Sequence, residues 1–224
     1  MQTPIASQTK PEMCDVVIGA EALPGMLQRP AGATGLVIFV HGSGSSRFSP
    51  RNAYAAQRLH AHGVATLLFD LLTEAESADR RNVFDIALLT SRTCEAVEWA
   101  RADERCAGLG IGLFGASTGA ASAIRAAAVL PDAVRAVVSR GGRPDLAGDA
   151  LPQVRCPVLL IVGGEDIEVA ELNREAQRLM RCPNDLVIVP GATHLFEEPG
   201  TLDRALSEAC AWFERHLSSD AAGR

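Results

Sequence analysis

The sequence predicts an α/β fold, a mostly parallel sheet flanked by helices, and three observations carry that expectation. Short apolar, β-branched runs alternate with longer segments whose apolar residues recur at helical spacing, as in parallel strands buried on both faces by crossover helices. Several of these runs end in glycine-rich loops, the punctuation expected where strands stop. The 224 residues, 47% hydrophobic and 21% charged, suffice for one large core and leave too little chain for a second. One domain over 1–224 is therefore expected, with 1–12 as a flexible N-terminal extension and 218–224 as a frayed tail.

Taken in order, 16–20 and the stretch around Met26 read as a leading strand pair with Pro24-Gly25 near the turn. Six buried strands follow at 36–40, 64–69, 109–114, 134–139, 158–162 and 186–189, making eight. Helical spacing predicts five helices, at 52–62, 84–101, 117–130, 169–181 and 202–217. The connections 71–83 and 140–156 read as loops, and the second is too short to hold a cap domain.

A net charge of −6 supplies no attraction to phosphate backbones or anionic lipid, so neither nucleic acid nor membrane is an expected partner. The six cysteines are scattered without a C-x-x-C pair, and His60 and His62 have no further ligand at metal spacing. Reduced thiols and no metal or cofactor are expected. Residues 1–14 hold no apolar run, so the expected location is cytoplasmic.

The most informative motif is Gly115-Ala116-Ser117-Thr118-Gly119, a Gly-x-Ser-x-Gly turn between a predicted strand and an alanine-rich helix. Such a turn exposes a serine hydroxyl at the end of a sheet, and small neighbours let the backbone make the tight bend. The alternative reading of Ser117 is a helix N-cap. An overlapping match, Gly110-x-Gly112-x-x-Gly115, fits the dinucleotide fingerprint by spelling alone, because its glycines fall within the strand instead of after it.

A serine hydroxyl needs a base, and in hydrolases of this architecture an acid and a histidine follow the serine in that order. Asp166 stands on the loop after strand 158–162, behind Gly163-Gly164, and is the candidate acid, with Glu165 and Asp145 as rivals. His194 stands on the loop after strand 186–189 and is the candidate base; His60, His62 and His216 lie on helical segments. The alternative for His194 is a surface histidine bonded to Glu197 or Glu198. Two backbone amides are expected to bind the developing oxyanion, one from Thr118 and one from Ser43 in the loop His41-Gly42-Ser43-Gly44, where His41 and Gly42 shape the turn.

These blocks, with Ser139-Arg140-Gly141-Gly142-Arg143-Pro144-Asp145-Leu146 and Gly191-Ala192-Thr193-His194-Leu195-Phe196-Glu197-Glu198-Pro199, resemble the dienelactone hydrolase family of the α/β-hydrolase superfamily. The resemblance implies hydrolysis of small carboxylic esters or lactones through an acyl-enzyme, with Ser117, Asp166 and His194 as the triad. It differs at the elbow, where dienelactone hydrolases proper carry cysteine and this chain carries Ser117. The other readings are a noncatalytic binding module of the same fold, or a peptidase or acyltransferase using the same triad.

Arg140, Arg47 and Phe196 are candidate substrate-binding residues, since each sits on or beside a loop near the serine; Arg143 is close by. An arginine there can grip a carboxylate bidentately, or instead pair internally with Asp70, Asp145, Glu197 or Glu198. Phe48, Tyr54, Phe84 and Phe196 are the aromatic residues placed to line an open pocket.

Overall fold

Among the described residues eight strands form in the order the apolar runs predict: β1 (Glu12–Ile18), β2 (Leu23–Arg29), β3 (Gly35–Val40), β4 (Val64–Phe69), β5 (Gly110–Ala116), β6 (Val134–Arg140), β7 (Val158–Gly163) and β8 (Asn184–Val189). The computed structural model describes residues 11–218 and joins them in one sheet, ordered β1-β2-β4-β3-β5-β6-β7-β8. β1 and β2 pair antiparallel, as do β2 and β4, and every other pairing is parallel. β3, β5 and β7 are buried along their whole length, and alternate residues feed two cores. In β3, Leu36, Ile38 and Val40 face one core while Val37 and Phe39 face the other.

Among the described residues six α-helices accompany the sheet: α1 (Pro50–Ala61), α2 (Glu74–Ser77), α3 (Ile86–Ala102), α4 (Thr118–Val129), α5 (Ile167–Leu179) and α6 (Thr201–Leu217). α3 and α4 cover the first face, and α1 and α6 the second. α4 lies between α3, the sheet and the 3₁₀ segment Pro144–Gln153, which is why so many of its residues are alanine: Ala120, Ala121, Ala123, Ala126 and Ala127 are all fully buried.

The structure departs from the sequence expectations in several places. β1 begins at Glu12, because its polar first half still pairs with β2 up to Glu12↔Arg29 although only Val16 and Ile18 are buried. The hairpin turn is Gly19 to Ala22, closed by the Ala22 amide donating to the Gly19 carbonyl at 3.3 Å, and Pro24-Gly25 lies inside β2. The 71–83 connection contains α2, capped reciprocally by Thr73 and Glu76. Likewise the 140–156 connection carries the 3₁₀ segment, kinked at Gly148. The rest of the expected extension and tail, residues 1–10 and 219–224, lies outside the described residues.

What matters for the site is the change of direction in strand order. From β3 the chain steps outward to β4, then returns to the opposite side of β3 as β5. The loops leaving β3 and β5 therefore diverge at the carboxyl edge of the sheet, where open α/β sheets bind their ligands.

Candidate active site

Ser117 sits between β5 and α4 with φ 50° and ψ −125°, a conformation that L-residues with a Cβ rarely hold. It occupies the N-cap position of α4, yet its side chain makes no capping hydrogen bond. That disposes of the N-cap reading and leaves the hydroxyl free. The turn is that tight because α4 starts against the end of β3: a Cβ on Gly119 would stand 2.1 Å from the Val40 carbonyl oxygen and 2.5 Å from that of His41. The Ser117 carbonyl accepts from the amides of Ala120 and Arg143, both at 3.1 Å, which ties the elbow to the loop after β6.

Asp166 repeats the pattern. It occupies the N-cap position of α5 without capping it, and its Oδ2 instead accepts from His194 Nδ1 at 2.7 Å. Because an ionised carboxylate only accepts, Nδ1 carries the proton and Nε2 is left with a free lone pair. The rival acids are otherwise placed: Glu165 is exposed, and Asp145 is held bidentately by Arg143 at 2.8 and 2.7 Å. Glu198 accepts from the amide and hydroxyl of Thr193 at 3.0 and 2.6 Å, bracing the turn before His194. Behind the imidazole lies Gly141, at φ 51°, where a Cβ would meet the His194 carbonyl oxygen at 3.0 Å.

In the loop after β3, His41 is a structural post. Its Nδ1 donates to the Gly42 carbonyl at 3.1 Å and its Nε2 accepts the Leu71 amide at 3.3 Å. Burial pushes its pKa below the ordinary value, with the Gly42 bond and Asp70 opposing. The Ser43 amide reaches Thr118 Oγ1 at 3.1 Å, so the two residues expected to frame an oxyanion are in direct contact.

Ser117, Arg140, His194 and Leu195 line a cavity of about 550 Å³ together with Ser43 and Phe48. A second cavity of about 600 Å³ shares the Gly42–Ser46 segment as a wall and is lined beyond it by Leu71, Leu72, Val83 and Leu89. Arg47 faces this second cavity; its guanidinium is ion-paired with Asp70, and its backbone amide donates to the same carboxylate at 2.7 Å. Phe196 is not a lining residue: it is 3% exposed and packs in the core beside Val189 and Ala192, while its exposed neighbour Leu195 takes the place at the cavity. Tyr54 bonds Asp203 and Phe84 lies outside both cavities.

Arg140, the last residue of β6, is in register with Ala116, directly before the elbow serine. Among the described residues it has neither an ion pair nor a hydrogen bond, and its Nε is enclosed without a partner. Burial, and next the neighbouring Arg51 cation, bring its pKa down to about 10, so it remains protonated at neutral pH. Arg51 itself is held by Glu197 at 2.6 Å.

Sequence reasoning missed Asn173, fully buried on α5. Its Nδ2 donates to the Gly142 carbonyl at 3.0 Å and so fixes the loop that carries Arg140 and Gly141 toward His194. An asparagine in the middle of an amphipathic helix is the only signal that pointed to it.

The model of the dienelactone hydrolase family matches residues 23–218, nearly all of the described chain. The chain belongs to that family. It is 49% identical to a dienelactone hydrolase from Anabaena variabilis of known structure, with a TM-score of 0.91 over 93% of this chain and 100% of that one. It is also 54% identical over 206 residues to the Mycobacterium tuberculosis H37Rv protein named "Putative phosphoribosyl transferase Rv0571c", covering 92% of this chain and 46% of that protein. The chain thus spans about half the length of the curated relatives it matches. Est1E from Butyrivibrio proteoclasticus shares the fold at a TM-score of 0.74 and 17% identity, over 92% of this chain and 98% of that one. Family membership and the 49%-identical structure support a hydrolase reading of this chain. No helix among the described residues is long and apolar enough to cross a membrane.

Proposed function

We propose that the chain is a serine hydrolase that cleaves carboxylic esters or lactones through an acyl-enzyme, with Ser117 as nucleophile, His194 as base and Asp166 as the orienting acid. The observation that carries this reading is the 2.7 Å bond from His194 Nδ1 to an Asp166 carboxylate released from helix capping, in a cavity shared with the strained Ser117.

Ser117 Oγ adds to the ester carbonyl as His194 Nε2 takes its proton, and Asp166 stabilises the imidazolium. The oxyanion accepts from the amides of Thr118, at the positive end of α4, and Ser43. Since the Ser43 amide donates to Thr118 Oγ1, rotation of the threonine hydroxyl is the adjustment that turns this donor to substrate. The C–O bond to the alcohol breaks, His194 returns the proton to the departing oxygen, and water repeats the sequence to release the acid. Each step uses side-chain and backbone groups alone, with no metal or organic cofactor, all carried by one domain of a cytoplasmic protein.

Ser117→Ala is expected to lower hydrolysis of 4-nitrophenyl acetate and butyrate by at least ~10³-fold with the protein still folded. Wild-type turnover in a folded Ser117→Ala protein would refute the assignment. Wild-type protein that turns over no ester at all would make it a binding module, and amide cleavage or acyl transfer to added alcohol exceeding hydrolysis would make it a peptidase or acyltransferase.

A further inference from the structure

We propose that the preferred substrate is an ester of two unlike halves, an acid half ending in a carboxylate held by Arg140 and an apolar alcohol half lodged beyond the Gly42–Ser46 wall against Leu72 and Val83. This rests on the serine hydrolase reading above and adds the substrate class. The fold leaves one charge at the site without a carboxylate partner. Arg47 has Asp70, Arg51 has Glu197, Arg143 has Asp145, and Arg92 has Glu76 and Glu95. Arg140 is half-buried with its Nε enclosed, yet it has no carboxylate and no hydrogen bond among the described residues. A buried guanidinium without a carboxylate costs stability; the Phe114 ring, 5.9 Å from the guanidinium carbon, offsets only part of that cost, which leaves a cation lining the cavity beside Ser117 open to an anion.

The register of β5 and β6 decides which half of the ester carries the anion. Arg140 stands opposite Ala116, and adjacent strands lie about 4.8 Å apart, so a group bonded to Ser117 Oγ stays within reach of the guanidinium. The group bonded to the serine in an acyl-enzyme is the acid half. One free cation matches one carboxylate better than a doubly charged phosphate, because Arg51 is already neutralised by Glu197. The second cavity offers no free cation and an apolar side: its one arginine is paired with Asp70, and Pro24, Leu71, Leu72, Val83 and Leu89 line it beside Thr73, Glu74 and Ser77. An alcohol half suited to it is an alkyl or aryl chain, which sets this substrate apart from a compact lactone.

Four esters test both halves by pH-stat: monohexyl glutarate, monomethyl glutarate, hexyl pentanoate and methyl pentanoate. The wild type is expected to show kcat/KM at least ~10-fold higher for each glutarate than for the matching pentanoate, the scale of a charge-assisted hydrogen bond pair. Hexyl is expected to exceed methyl in both series. Arg140→Met should bring the glutarate-to-pentanoate ratio toward one and, by removing an unpartnered buried charge, should melt no lower than the wild type. Arg140→Lys should restore part of the ratio, and Leu72→Trp should bring the hexyl-to-methyl ratio toward one.

A glutarate-to-pentanoate ratio near one in the wild type, or a ratio that survives Arg140→Met, overturns the carboxylate half. A hexyl-to-methyl ratio unaffected by Leu72→Trp overturns the apolar half. Labelling of Ser117 by a fluorophosphonate in the same preparations separates these failures from failure of the hydrolase reading itself.

Discussion

Replacing Ser117 with glycine should abolish activity and stabilise the protein. At φ 50° and ψ −125° the serine holds a backbone conformation that costs about 1–3 kcal/mol for a residue with a Cβ, and glycine adopts it without that cost. Against this stands the greater freedom of glycine in the unfolded chain, about 0.5–1 kcal/mol. At the midpoints of these ranges the difference is about 1.2 kcal/mol in favour of the glycine variant, or about 2.5–5 °C in Tm for a domain of this size. Ser117→Ala is the reference, since it removes the hydroxyl and keeps the strained Cβ. Thermal melts of the two inactive variants side by side should place Ser117→Gly higher. If glycine melts at or below alanine, the elbow is not strained and the functional weight placed on its geometry is lost.

Three further outcomes follow from the site. Asp166→Asn keeps the contact to His194 but can donate to Nδ1, favouring the wrong tautomer, so kcat should fall about 10³- to 10⁴-fold with little change in Tm, read from initial rates on 4-nitrophenyl butyrate. Gly141→Ala places a Cβ 3.0 Å from the His194 carbonyl oxygen at φ 51°; a loss of about 1–2 kcal/mol in stability and roughly tenfold in kcat is expected from denaturant titration and kinetics. His41 gives a pH dependence: burial lowers its pKa beneath the ordinary 6.5, so the unfolded chain binds the proton more readily than the folded one. Stability is therefore full above pH 6.5 and falls as pH drops below it. Because His60 and His216 are lowered by burial in the same sense, the measurement is the difference between wild type and His41→Gln, whose Tm should decline less steeply from pH 7 to 5.

The fold was legible because six of its strands are apolar on both faces and are separated by segments of helical period, a pattern with few other solutions. Where burial is one-sided the sequence signal fades: β1 pairs from Glu12 although its first buried residue is Val16. α2 was written in the sequence as Thr73-x-x-Glu76, but four residues are too few for periodicity to show. In the site, chain order pointed to Ser117, Asp166 and His194 because each follows its own strand. What could not be read were the contacts between distant segments. Arg47 and Arg140 look alike in sequence, and only the fold pairs one with Asp70 and leaves the other alone. Phe196, expected at the pocket, likewise gives that place to Leu195, since the turn braced by Glu198 sends the aromatic ring into the core.

The most direct test of the central claim is intact-mass analysis of the purified protein after a fluorophosphonate, followed by peptide mapping. An activated serine predicts one adduct per chain, on Ser117, lost in Ser117→Ala and much slowed in His194→Ala. A folded protein that takes up no adduct, or takes it up equally well without His194, would contradict the account.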